Sequence, residues 1–248
     1  MRYYPIFLDL RGRHCAVVGG GRVAERKVKA LLRAGATVRV ISPSVTPRLA
    51  LLAARKKIEL TLRTYHVGDL EKSAAAQTDG LSSLRPTLVF AATNRPEAQH
   101  AIRLDAESIG VPVNVADDAK ESGFIVPASF AQGDLQVAIS TSGSSPALAR
   151  QIRRQLQATL GLEYRGYLRF LREARKHVMD TVPDEAQRAK IFRRLSGKPV
   201  TDWLRTGPPR PPMETSKNGS RTLPEQSEHA ANGAGGSASS PAPGPLLD

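Results

Sequence analysis

Long apolar runs are missing from this 248-residue chain. No window holds the roughly 18 unbroken apolar residues that a membrane span needs. Cysteine is nearly missing as well. With Cys15 alone, an internal disulfide and a thiolate metal cluster are both excluded. Aromatics are only 5% of residues, and neither a single-strand stacking platform nor zinc-finger spacing is present. The histidines (His14, His66, His100, His177 and His229) are scattered without H-x-x-x-H or H-x-x-E spacing. No protein-ligated metal site is therefore expected. The opening stretch MRYYPIFLDLRGRHC has no apolar h-region and no small-residue cleavage site. These absences lead us to expect a soluble cytoplasmic protein without a signal peptide, bound to no membrane.

Positive charge, by contrast, is in surplus. The chain carries 36 Lys+Arg against 23 Asp+Glu, a formal net charge of +13. Residues 147–206 supply +8 of that surplus, with 14 basic and six acidic residues. Such a surface suits nucleic acid, anionic lipid or a polyanionic small molecule, or is simply a solvated face. Composition then shifts at Gly207: the last 42 residues hold eight prolines and six glycines. Too little apolar surface is present there to offset ordering entropy, so residues 207–248 are expected to be a disordered tail. Residues 71–86 (EKSAAAQTDGLSSLRP) are small and polar, and read as a long surface loop.

The remainder opens on alternating strand and helix signals. HCAVV at 14–18 is a buried strand entering glycine, and residues 23–34 have helical spacing up to Gly35. Further strands are expected at 37–41, 58–65, 87–92 and 111–115, with helices at 47–56 and 96–109. This alternation implies a parallel sheet with helices on both faces, an α/β fold. After Asp118 the rhythm changes to two strands, 123–128 and 135–141, without a helix between them. Three helices follow, at 146–160, 163–180 and 184–195. Ser145 and Pro146 supply an N-cap and a first-turn proline for the first of these. We therefore divide the chain into a sheet domain (1–115), a small β segment (116–145), a helical module (146–206) and the tail.

Gly19-Gly20-Gly21-Arg22-Val23-Ala24 fits G-x-G-x-x-A, directly after a strand and opening a helix. That context marks a Rossmann-like dinucleotide site. Gly19 permits the tight turn, Gly21 lets the backbone approach a pyrophosphate, and Ala24 keeps the helix close to the sheet. A carboxylate for the adenosine ribose is expected about 20 residues on. Ser42, Pro43 and Ser44 occupy that place with only hydroxyls and backbone, so the charge rule leaves NAD and NADP unseparated. Arg39 is expected to turn away by strand alternation. Thr93 and Asn94, after the fourth strand, would lie beside the cofactor or simply cap a helix.

Three segments in this order and spacing resemble the precorrin-2 dehydrogenase family, including the N-terminal half of siroheme synthase. They are Pro5-Ile6-Phe7 leading to GGGRVAERK at 19–27, Asn114-Val115-Ala116-Asp117, and ISTSGSSPALAR at 139–150. The likeness spans roughly residues 3–200. It implies NAD-dependent oxidation of precorrin-2 to sirohydrochlorin, with Fe²⁺ as a further substrate in those members that go on to make siroheme. It also implies a homodimer, with the β segment as dimerisation element, and helices that help enclose a tetrapyrrole. The aspartate of N-V-x-D, here Asp117, is implied to be catalytic, and a carboxylate there can serve as base.

The residues are compatible with this. Precorrin-2 is a polycarboxylate, matching the basic helical module. Ser140, Thr141, Ser142 and Ser144 precede a helix whose free N–H groups could grip a carboxylate, or they only cap it. Arg150, Arg153 and Arg154 follow one turn in, and Asp118 is expected to point elsewhere. The 71–86 loop is longer than the family's usual link. No methyltransferase half follows residue 206, so the chain is not expected to make precorrin-2 itself. Two other readings stand beside the full one: a dehydrogenase without chelatase activity, and a non-catalytic NAD(H)-sensing module. A nucleic-acid binder would need salt-sensitive affinity that survives disruption of the glycine turn.

Overall fold

In the computed structural model, described over residues 3–71 and 85–196, β1 (His14–Val18) is the middle strand of a five-stranded sheet. The order is β3-β2-β1-β4-β5 and every pairing is parallel. All of β1 is buried, which is why it reads as an unbroken apolar run rather than an alternation. β2 (Thr37–Ile41) and β4 (Leu88–Ala91) flank it, and β3 (Glu59–Thr61) and β5 (Val113–Val115) form the edges. The chain winds outward from β1 through β2 and β3, then re-enters beside β1 as β4. The carboxyl ends of β1 and β4 thus border a switch point, where open α/β sheets bind ligands.

Strand alternation sorts the apolar side chains into two cores. Cys15, Val17, Val38, Val40 and Phe90 pack with Ala24, Val28 and Leu31 of α1 (Arg22–Arg33) and Leu49 of α2 (Pro47–Ala54). Ala16, Val18, Val89, Ala91, Val113 and Val115 pack with Ile102 and Ala106 of α3 (Pro96–Ser108). Leu70 and Tyr65 join this second core from the segment after β3. Cys15 is fully buried, and desolvation pushes its thiol up to about 11, so it acts as a packing group.

His14 opens β1 and is also buried, with no hydrogen-bond partner for Nδ1 among the described residues. Burial, helped by Arg39, lowers its pKa to about 4. The imidazole is therefore neutral in the fold, while in the unfolded chain it takes up a proton below about 6.5. Stability is lost as pH falls from about 6.5 to about 4, by roughly 2–3 kcal/mol from this residue. Urea titrations at pH 7.5 and 4.5 should show the parent losing more stability than His14→Gln. Equal losses would mean that His14 is not the source.

Past the sheet, the structure corrects the expected strand at 123–128. β6 is Ala128–Gln132, paired antiparallel with β7 (Leu135–Ile139) through a Gly133-Asp134 turn in which Gly133 has φ +64°. Residues 123–127 instead run along β5: the Gly123 N–H donates to the Val113 carbonyl at 2.9 Å, and Phe124 packs edge-on to Phe90 at 5.4 Å. Of the apolar side chains there, Phe124 packs on the first core, while Val126 is exposed. Pro127, which lacks an N–H, ends the run. α4 (Pro146–Thr159) packs on both hairpin strands, and α5 (Glu163–Thr181) packs on β7 and α6 (Glu185–Ser196).

Elsewhere the elements fall within a few residues of expectation. β3 is much shorter than 58–65, because the chain leaves the sheet edge after Thr61. Between β3 and β4 the described residues contain no helix. Most of the expected 71–86 loop, residues 72–84, lies outside the described residues, as does the tail. The chain separates into Met1–Gly207 and Pro208–Asp248. No helix among the described residues is long and apolar enough to cross a membrane.

Candidate functional site

Three consecutive glycines turn the chain from β1 into α1, and each meets a different constraint. Gly19 has φ +126°, and a Cβ there would overlap the Ala92 carbonyl. Its N–H donates to the Ile41 carbonyl at 2.9 Å. A Cβ on Gly20 would overlap the Ser44 carbonyl and stand 2.8 Å from Ser42 Oγ, while the Gly20 carbonyl accepts from Thr46 N–H. Gly21 is the N-cap of α1, at an ordinary φ of −82°, and a Cβ there meets nothing within 4 Å. It is exposed on the cleft side. The middle glycine, an open position in G-x-G-x-x-A, locks the turn against the β2–α2 loop; its signal in the sequence is the unbroken G-G-G. Gly20→Ala should destabilise the protein by about 1–3 kcal/mol in urea unfolding, through overpacking against backbone that cannot yield. A change below about 0.5 kcal/mol would show that the loop does yield.

Helix α1 begins without a side-chain cap, whereas Thr46 Oγ1 caps α2 and Ser145 Oγ caps α4. Its first-turn N–H groups are therefore left for a ligand, at the positive end of the helix. Glu25, in that same turn, is held aside: Thr46 Oγ1 donates to it at 2.9 Å and Lys29 pairs with it at 3.0 Å. These partners hold its carboxyl below the usual range.

A cleft of about 1190 Å³ opens above this turn, lined by residues 18–23, 41–45, 64–65, 92–99 and 116–118. Gly19, Gly21, Arg22, Val23, Ser42, Pro43, Ser44, Thr93 and Asp117 all lie on its wall. The Ser42 hydroxyl is spent on the Ser44 carbonyl, to which it donates at 2.7 Å, while Pro43 and Ser44 are exposed at the rim. Arg39 turns away from the cleft, donating to the Asp69 carbonyl at 3.1 Å and lying 3.6 Å from Glu59. Thr93 lines the cleft and does not cap α3, whose N-cap is Arg95; in the turn before that helix its Oγ1 accepts from Arg95 N–H at 3.3 Å and its carbonyl accepts from Gln99 Nε2 at 2.7 Å.

One wall residue was not found in the sequence. Tyr65 lines the cleft, and its hydroxyl donates to the buried Asp105 carboxylate, which also accepts from Gly68 N–H at 2.9 Å. Burial, and then the Asp105 carboxylate, raise the phenol above its ordinary value. The two residues are forty positions apart, in a short edge segment and a helix, and no local pattern links them.

Asp117 comes two residues after β5, exposed on the cleft and in the left-handed region at φ +61°. Ala116 N–H donates to the Ala91 carbonyl at 2.9 Å, which extends the β4–β5 pairing up to it. Asp118 has different work. Its Oδ1 accepts from Lys120 N–H at 2.9 Å and from Glu121 N–H at 3.1 Å, so its carboxylate closes a turn.

Ser140, Thr141, Ser142, Ser144 and Arg150 do not line this cleft; they lie on the β7–α4 turn and on α4. Ser140 Oγ accepts from Ser142 N–H and Thr141 Oγ1 from Ser145 N–H, each at 3.0 Å, so these hydroxyls support the turn. Ser142 (φ +54°), Ser144 and Arg150 are exposed. Among the described residues, no three of His, Cys, Asp and Glu gather to hold a metal ion.

A parallel sheet with a glycine turn, an uncapped helix and a cleft at its switch point defines a Rossmann-like NAD(P)-binding domain. Family comparison agrees: residues 6–128 match a family described as NAD(P)-binding, and residues 132–159 match the central part of a sirohaem biosynthesis protein. The chain is 38% identical over 207 residues to the siroheme synthase of Chromobacterium violaceum, and 36% identical over 208 residues to that of Thioalkalivibrio sulfidiphilus. Each alignment covers 84% of this chain but only 41% and 40% of the relative, so the chain spans about two fifths of their length. The solved structure of SirC, a precorrin-2 dehydrogenase, superposes with a TM-score of 0.65 at 26% identity, over 78% of this chain and 89% of that one. By family model, sequence and structure the chain matches the siroheme synthase family over this part of its length.

Proposed function

We propose that this protein oxidises precorrin-2 to sirohydrochlorin with NAD, in siroheme biosynthesis in the cytoplasm. The observation that carries this reading is the position of Asp117, a carboxylate exposed on the wall of the cleft that the glycine turn opens. Likeness to a precorrin-2 dehydrogenase along 89% of that chain supports the choice of substrate. The cleft also fits a dinucleotide: Gly21 leaves room for one, the α1 N–H groups are uncapped, and the volume is ample.

In this scheme the first turn of α1 holds the pyrophosphate, and the backbone at Ser42–Ser44 receives the adenosine ribose. When bound, NAD supplies the hydride acceptor. Asp117 takes the proton that leaves the substrate as hydride departs from carbon. The basic helical module, with Ser142, Ser144 and Arg150 at the N-terminal end of α4, meets the substrate's carboxylates. The same Asp117 can accept pyrrole N–H protons when Fe²⁺ enters as substrate, which makes siroheme formation a second activity of the site. A homodimer through the β6–β7 hairpin completes the proposal.

The test is an anaerobic absorbance assay with purified protein, enzymatically made precorrin-2 and NAD. NADH and the sirohydrochlorin spectrum should rise in step, and added Fe²⁺ then reports the second activity. NAD binding without either product would replace this reading with a sensor module.

A further inference from the structure

The loop from β2 to α2 meets the cleft with hydrogen-bond donors and without a carboxylate. Ser42, Pro43, Ser44 and Val45 line the cleft, and from Ile41 to Arg48 the chain holds no acidic residue. A carboxylate at this place in an NAD site accepts from the ribose 2′-hydroxyl and repels a 2′-phosphate. The Ser44 carbonyl, an acceptor that could stand in for it, already accepts from Ser42 Oγ at 2.7 Å and lies against Gly20.

The donors of the loop are in the opposite condition. Ser42 N–H donates to the Thr61 carbonyl at 3.1 Å, and Thr46 N–H to the Gly20 carbonyl at 2.9 Å. Between them, the Ser44 and Val45 N–H groups and the Ser44 hydroxyl donate to no protein group among the described residues. Ser44 is exposed at the rim.

Charge beside the loop has the matching sign. The bond from Thr46 to Gly20 holds the loop against the glycine turn, and Arg22 follows that turn as the first residue of α1. Arg22 is exposed, lines the same cleft and has no carboxylate paired with it among the described residues. Glu25 lies outside the lining and is engaged by Lys29 at 3.0 Å, Arg48 at 3.9 Å and the Thr46 hydroxyl. The acidic residues that do line the cleft, Glu97, Asp117 and Asp118, follow β4 and β5, which stand on the opposite side of β1 from β2. Unengaged donors beside an unpaired guanidinium suit an anion better than a hydroxyl.

We propose that the cleft accepts NADP as readily as NAD, its 2′-phosphate taken by the Ser44 and Val45 N–H groups, the Ser44 hydroxyl and the Arg22 guanidinium. This rests on the dinucleotide reading above and not on the dehydrogenase, so binding alone tests it.

Calorimetric titration of the full chain with each oxidised dinucleotide should give a Kd for NADP within about fivefold of that for NAD, or tighter. As a probe of the phosphate itself, 2′,5′-ADP should bind at least about fivefold more tightly than 5′-AMP, which lacks only that group. Arg22→Gln should weaken NADP about tenfold more than NAD, through loss of one charge-assisted contact. Ser44→Asp, which supplies the missing carboxylate, should weaken NADP about thirtyfold more than NAD. A parent that binds NAD but holds NADP more than about fivefold less tightly overturns the phosphate site. Equal losses of both dinucleotides in the two variants overturn it as well. If the parent binds neither dinucleotide, the cofactor reading falls and this one falls with it.

Discussion

Asp117→Asn keeps the fold and NAD binding and loses about 10²–10⁴-fold in kcat. That is the range expected when a positioned general base is removed. Asparagine is the informative replacement because of the backbone: residue 117 has φ +61°, which Asn tolerates about as well as Asp. Alanine lacks that tolerance, so Asp117→Ala should show the same kinetic loss together with a small fall in thermal stability. NADH formation from precorrin-2 measures the loss, and calorimetric titration with NAD shows that the cleft is intact. Activity within twofold of the parent in the Asn variant would place the base elsewhere.

Gly21→Asp raises the Kd for NAD at least 100-fold, or about 2.7 kcal/mol. The substitution introduces a side chain and a negative charge at the end of α1 proposed to hold the pyrophosphate, and both oppose it. Because a Cβ at Gly21 touches nothing and φ is −82°, the variant should unfold at nearly the same urea concentration as the parent. The loss is then one of binding and not of folding, the reverse of what Gly20→Ala should do one residue earlier. Unchanged NAD affinity would remove the basis of the cofactor assignment.

The nucleotide side of the cleft was legible in the sequence because its chemistry is local. The glycine turn, the strand ends at Ser42 and Thr93, and Asp117 each sit at the boundary of an element whose periodicity is strong, and the parallel sheet gathers those boundaries at one edge. The hairpin was legible only in part. The stretch at 123–128 has the apolar content of a strand, whereas the register is carried by the Gly133-Asp134 turn between Gln132 and Leu135. Contacts formed by tertiary packing left no local mark. Tyr65 with Asp105, Lys27 with Asn114, and Gly20 against Ser44 depend on which faces the crossovers bring together, and single-sequence spacing does not encode that.

The backbone at residue 117 also bears on any attempt to engineer this chain for heat resistance. A residue other than glycine held at positive φ stores strain of about 1 kcal/mol, which glycine releases. A selection that scores only folded protein would therefore accept substitutions at this position and enrich them alongside true improvements. Every such winner would lack the carboxylate. Libraries built on this scaffold should hold codon 117 fixed and rank survivors by turnover, because on the role proposed for Asp117 the more durable molecule is the one that stops working.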